Sequence, residues 1–195
     1  MEGSCFRNLK NMKFPGNKFP LDKQPGPERS GPEIIELSAN DWRELKELRV
    51  QALTESPRSF GETVEEARAR GESEWRERLS TGRYFCVRSE GRLVAMLCVV
   101  REKGEKVSHV MNVYSVYVSP DARNKGLGKA LMDRVLAEAA ADGVTRKLRL
   151  AVAADNEDAI RLYRGMGFHK VADYKDELLV AGEYVDQIGM EKLIS

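Results

Sequence analysis

Hydrophobic positions along the chain change period several times, and each change marks an element. Ile34, Ile35 and Leu37 form a short apolar run that predicts a strand. Asn40 or Asp41 then offers an N-cap to Trp42, Leu45, Leu48, Arg49 and Ala52, which recur at helical spacing. Beyond Pro57 a second helical stretch, dense in carboxylates (Glu62, Glu65, Glu66, Glu72 and Glu74), runs to Trp75 and Leu79 with a break near Gly71. Tyr84 to Arg88 and Leu93 to Arg101 flank Ser89-Glu90-Gly91-Arg92, a segment with hairpin chemistry, so two antiparallel strands follow.

After a polar turn at Lys103-Gly104-Glu105, the β-branched and aromatic run Val110 to Val118 predicts another strand, stopped by Ser119-Pro120-Asp121. Gly126 to Ala141 reads as a helix with Leu127, Ala130, Leu131, Val135 and Ala139 on one face and Gly143 past its end; Lys147 to Ala153 is the next strand. This β-α-β unit calls for a parallel pair. Asn156 caps a further helix whose Ala159, Leu162, Tyr163 and Met166 share a face, and two strands near Lys170 to Asp173 and Glu183 to Leu193 close the chain. The order β-α-α-β-β-β-α-β-α-β-β is an α/β sheet of mixed direction, with no internal repeat.

Residues 1–32 stand apart: Pro15, Pro20, Pro25, Pro27 and Pro32 alternate with Gly, Lys and Asn without periodicity, which predicts a flexible extension ahead of a domain over 33–195. With 195 residues the chain builds one good core. Its formal net charge of +1 gives no broad hold on nucleic acid. The longest apolar run, Leu93 to Val100, falls well short of the roughly 18 residues that span a bilayer, so no membrane partner is expected. Cys5, Cys86 and Cys98 have no metal-site or disulfide spacing, and Cys86 and Cys98 read as buried small hydrophobes in a reducing, cytoplasmic setting. His109 and His169 are too few for a metal cluster or a hydrolytic triad, so no metal is expected.

Chemistry concentrates where the Val116-Tyr117-Val118 strand end turns through Arg123-Asn124-Lys125-Gly126-Leu127-Gly128-Lys129 into a helix. The free N–H groups of a first helical turn attract anions, and glycines let a diphosphate approach the backbone. A P-loop fails here, because Arg123 stands where its first Gly belongs and Ala130 where Ser or Thr must follow Lys129. A dinucleotide fingerprint fails at Leu131.

The segment resembles instead the signature of the GNAT N-acetyltransferase family, Gln/Arg-x-x-Gly-x-Gly/Ala, met by Arg123, Gly126 and Gly128. Downstream, Asn156-x-x-Ala159-x-x-Leu162-Tyr163-x-x-x-Gly167-Phe168 resembles the second half of the same family's core, and the likeness covers about residues 33–194. It implies a mixed, mostly antiparallel sheet of about six to seven strands flanked by about four helices. It also implies acetyl-CoA as cosubstrate, with the pyrophosphate on Arg123 to Lys129, the pantetheine arm and acetyl oxygen on the backbone of Val116, Tyr117 and Val118, and Asn156 touching the arm. Backbone help to an oxyanion is commonly worth about 2.7 to 4 kcal/mol. Tyr163 carries over as the proton donor to the departing thiolate; a phenol with a pKa near 10 stays protonated until a sulfur of pKa near 8.5 develops charge. The same tyrosine fits its helix's apolar face as plain core.

An alkylammonium of pKa near 10.4 is neutral in only about one molecule in a few thousand at pH 7, so a base, a water relay or desolvation must contribute. Histone-type members place a glutamate on the strand before the phosphate turn, where this chain has Met111-Asn112. Members acting on ribosomal N-termini place one five residues before the asparagine, where it has Ala151. His109, Glu62 and Glu183 are candidates, and no base is assigned. Glu62, Glu65 and Glu66 could draw in a cationic amine, although an outward helix face explains them too. The leading expectation is a small primary amine as acceptor, such as an amino acid, polyamine or aminoglycoside-like compound. Two alternatives are a protein lysine or N-terminus, and a non-catalytic acyl-CoA-binding sensor. A homodimer is left open.

Overall fold

The structure, a computed structural model, describes residues 32–194. The expectation for the Pro- and Gly-rich extension therefore lies, apart from Pro32, outside the described residues. Seven strands, β1 (Ile34–Glu36), β2 (Arg83–Ser89), β3 (Arg92–Arg101), β4 (Val110–Val118), β5 (Lys147–Ala153), β6 (His169–Val180) and β7 (Glu183–Leu193), form one sheet in the order β1-β2-β3-β4-β5-β7-β6. Every neighbouring pair is antiparallel except β4 and β5, which run parallel as the β-α-β pattern requires.

Five helices flank the sheet: α1 (Trp42–Glu55), α2 (Val64–Ala69), α3 (Glu72–Thr81), α4 (Leu127–Ala141) and α5 (Glu157–Gly165). The second helical stretch divides at Arg70-Gly71 because each half brings its own start signal. Thr63 and Glu66 form a reciprocal capping box for α2, and Glu74 reaches back to the Gly71 N–H at the head of α3. β6 runs past the expected Asp173 to Val180. Its middle, Lys175-Asp176-Glu177, is charged because this is the exposed edge strand, so hydrophobic alternation does not show it. A bulge interrupts pairing with β7 there, with Asp176 at φ 52° and its N–H bonded to Asp186.

Alternation along the strands feeds two cores, one on each face. Phe85, Leu97, Val113 and Leu148 pack with Leu131 and Val135 of α4 and Ile160 and Tyr163 of α5. Cys86, Met96, Cys98 and Tyr117 pack with Leu45, Leu48 and Leu53 of α1 and Trp75 of α3. Cys86 and Cys98 are free and buried, as expected of small hydrophobes, and desolvation pushes the Cys98 thiol up to about 12. Among the described residues no helix is long and apolar enough to cross a membrane.

Trp75 is fully buried and fastens α3 to the sheet. Trp75→Ala is expected to cost about 3–5 kcal/mol in equilibrium urea unfolding. A loss under about 1 kcal/mol would show that this helix is dispensable to the core.

Candidate active site

β4 and β5 stay together for three residue pairs, Val110↔Lys147, Met111↔Leu148 and Asn112↔Arg149. They then part: β5 continues along β7 to Ala153, while β4 follows β3 to Val118. The cause is visible in β4. Its register against β3 slips between Met96 and Cys98, and Ser115, the extra residue, sits at φ 56° in the left-handed region that a β-carbon makes costly. From there the β5-facing edge of β4 has no ladder partner, so Val116, Tyr117 and Val118 border an opening through the sheet. At the closed end, Arg149 donates to Asn112 and Glu102, and Asn112 donates to Glu102, which pins the apex.

The opening leads to the start of α4. Gly126 is its N-cap at φ 73°, with Asn124 at φ 60°; no side chain caps the helix and no carboxylate stands in its first turn. The first intrahelical bond is Ala130 N–H to Gly126 C=O, so the amides of Leu127, Gly128 and Lys129 have no acceptor within the helix. Leu127 anchors this end in the core. A β-carbon on Gly128 would lie 3.5 Å from Leu162 Cδ2 and 3.8 Å from Val118 Cγ2, so β4, α4 and α5 converge there. Arg123, Asn124, Lys125 and Lys129 are exposed. Arg123 Nε donates to Val118 C=O at 3.1 Å, and Lys129 leans along the helix to Asp133 at 2.7 Å.

Across the convergence, Asn156 Oδ1 accepts from the Ala159 N–H at 3.1 Å and starts α5. Tyr163, one residue beyond Leu162, is 5 % exposed and packs against Phe168 with ring centroids 6.0 Å apart. Burial pushes its hydroxyl above the ordinary tyrosine range. The site residues expected from sequence are thus gathered around one opening, with Tyr163 set in the core.

On the α1–α3 side lies a charge cluster. Arg49 of α1 is 5 % exposed; its Nε and Nη2 bond Glu62 at 3.0 and 2.9 Å, and its Nη1 donates to Ser115 Oγ at 3.3 Å. The Glu62 side chain is 9 % exposed and also meets Arg70 and Arg78, the latter at 3.2 Å. Arg78 Nε donates to the Tyr84 hydroxyl at 3.0 Å, and the Arg49 guanidinium lies 4.5 Å above the Phe60 ring. Burial, and then the neighbouring charge of Arg78, lower the Arg49 pKa to about 10.

This cluster corrects the view of the early glutamates as a lure for cations. Glu62 is spent on three guanidiniums, Glu66 caps α2, and Glu65 faces solvent. His109 lies at the closed end of β4, about 20 Å of strand from Val116. Glu183 is exposed and paired with Arg58, which also grips Asp155 beside Asn156 and so ties the α1–α2 loop to the end of β5 and the start of β7. No base is assigned among the three. Sequence reasoning missed Ser115, Arg78 and Glu55, whose carboxylate takes the Tyr117 hydroxyl bond. One signal was available: an arginine, Arg49, at a core position of the first helical pattern.

Comparison with known proteins bears on the family and the fold. The model of the acetyltransferase (GNAT) family matches residues 42–168. The chain is similar to the [Ribosomal protein bS18]-alanine N-acetyltransferase of Salmonella typhimurium, 32 % identical over 83 residues, which is 43 % of this chain and about half (55 %) of that one. In fold it is similar to an acetyltransferase of the GNAT family from Streptococcus pneumoniae, with a TM-score of 0.76 at 20 % identity, covering 84 % of this chain and 99 % of that chain. It is also similar to a GNAT superfamily phosphinothricin acetyltransferase from Sinorhizobium meliloti solved in complex with AcCoA, with a TM-score of 0.72 at 22 % identity, covering 84 % and 89 %.

Glu62 is the single carboxylate that the three guanidiniums share. Glu62→Gln is expected to destabilise the protein by about 3–5 kcal/mol in urea unfolding, because it leaves buried cations uncompensated. A near-neutral effect would mean that the arginines are neutralised by something else.

Proposed function

Since this chain belongs to the acetyltransferase (GNAT) family, we propose that it moves an acetyl group from acetyl-CoA to the primary amine of a small molecule. In this reading residues 33–195 form the catalytic domain and the preceding residues an extension to it. The two free, buried thiols suit a reducing compartment, and we assign the protein to the cytoplasm. The observation that carries the activity is the parting of β4 and β5 beside an uncapped helix start rich in glycine.

The amides of Leu127, Gly128 and Lys129, with Arg123, Asn124, Lys125 and the Gly126 turn, receive the pyrophosphate. Gly128 keeps the convergence with Leu162 and Val118 open to it. The unpaired edge of Val116, Tyr117 and Val118 holds the pantetheine arm as an added strand would be held, and Asn156 borders the arm from the other side. The thioester carbonyl then lies where backbone N–H groups can meet its oxygen. As the amine nitrogen bonds to the acetyl carbon, the carbon–sulfur bond breaks, its electron pair leaves with sulfur, and the proton shed by the nitrogen passes to solvent water. Tyr163, kept protonated by burial, stabilises that thiolate. Because burial also raises the cost of surrendering its proton, much of its effect is hydrogen bonding to the developing charge.

A second acceptor class, a protein N-terminus, is favoured by the likeness to the ribosomal-protein alanine N-acetyltransferase. Ala151, where that class carries a glutamate, speaks for the small amine. Thiol release from acetyl-CoA, measured over small amines and N-terminal peptides, separates the two: small amines should be turned over, and activity confined to peptides would shift the assignment. Tyr163→Phe is expected to lower kcat about 100-fold while the rise in melting temperature with CoA is retained. An unchanged kcat would remove Tyr163 from the mechanism.

A further inference from the structure

Glu62 is surrounded by more positive charge than it can neutralise. Arg49, Arg70 and Arg78 converge on this one carboxylate. The next carboxylate, Glu74, turns to the Gly71 N–H, and Glu66 turns to the Thr63 N–H. Three guanidiniums thus face one carboxylate, the charge of Glu74 offsets part of that at Arg70, and Arg49 is almost wholly removed from water. Charge left in so dry a place is costly unless an anion joins it. Arg49 still has donors to give: its bonds to Glu62 and Ser115 leave a second N–H on each terminal nitrogen. Arg78 spends Nε on Tyr84 and Nη1 on Glu62, which leaves Nη2.

The location matters as much as the charge. Arg49 reaches Ser115, the bulge residue in β4's pairing with β3, which lies past the last β5 pair at Asn112 and one residue before Val116. The opening joins the two faces of the sheet. A thioester entering from the α4 side presents its acyl group toward the α1–α3 side, where the guanidiniums stand and Phe60 supplies an apolar wall under Arg49. An amine arriving there meets positive charge, which repels a polyamine or an alkylammonium with no counter-charge and attracts a molecule that carries its own anion.

We infer that Arg49 and Arg78, backed by Arg70, bind the carboxylate of the acceptor, so that the amine acetylated is that of a free amino acid or of a compound built like one. This rests on the acetyltransferase reading and narrows its substrate class. It also sets free amino acids apart from protein N-termini, which lack an α-carboxylate.

The experiment uses the full-length protein and pairs of acceptors, each a free amino acid and its own α-amide. Over the panel, kcat/KM with acetyl-CoA should favour the carboxylate in at least one pair by about 100-fold, and Arg78→Gln should collapse that ratio toward one. Equal rates within every pair, or a preference for the amides, would overturn the inference. So would an Arg78→Gln variant that slows both members alike, since that is the signature of a purely structural cluster. A second arm needs no turnover: melting of the CoA-loaded wild-type protein with N-acetyl amino acids against their amides. A rise with a carboxylate and none with its amide supports the subsite even if no amine is acetylated, an outcome that would count against the acetyltransferase reading alone. No selective rise rejects the subsite whatever the enzyme turns over.

Discussion

Two neighbouring strands of one sheet stay parted only if at least one of them changes direction, and Ser115 supplies that change in β4. The extra residue shifts β4 onto a new register with β3, and the ladder to β5 ends after Asn112. Left alone, two bare edges in one sheet would tend to close. Here they are held apart, because β5 is committed to β7 along its whole length and β4 to β3 up to Val118. The Asn112–Arg149–Glu102 bonds pin the apex, and Arg49 holds Ser115 from the α1 side. The opening is thus enforced from four directions, and everything assigned to the site is a consequence of it.

The same opening gives the backbone of Val116 to Val118 a use. Unpaired N–H and C=O groups on a strand edge are a liability in a monomeric sheet, and here they lie beside the uncapped amides of α4. One row of backbone groups suits an extended amide-bearing chain; the other suits an anion. The two meet at the Val118–Gly128–Leu162 convergence. The proposed fit of a long ligand with a diphosphate at one end rests on that juxtaposition more than on any single side chain.

Charge on the opposite face follows a different logic. Glu62 belongs to a carboxylate-rich stretch, and by composition that stretch looks attractive to cations. Folding reverses the balance around Glu62, because α1, the α2–α3 junction and α3 each bring an arginine to the same carboxylate. Local sequence contains no trace of this reversal: the partners of Glu62 lie between 8 and 16 positions away on separate elements, and only packing selects them from the many arginines of the chain.

What the sequence determined by itself is the set of local preferences with periodic or covalent causes. Hydrophobic period set the order of strands and helices, the α2 capping box and the Glu74 bond to Gly71 set the break between α2 and α3, and the spacing of Arg123, Gly126 and Gly128 marked the proposed phosphate turn, because each depends on residues within one or two turns of one another. The charged middle of β6 was hidden, since an edge strand owes its pairing to its neighbour rather than to its own apolar pattern. The parting of β4 from β5, the depth at which Tyr163 is buried, and the sign of the charge around Glu62 were decided by tertiary structure. Each of these is a sum over contacts between separate elements, and the periodic pattern of one element does not select its partners on another.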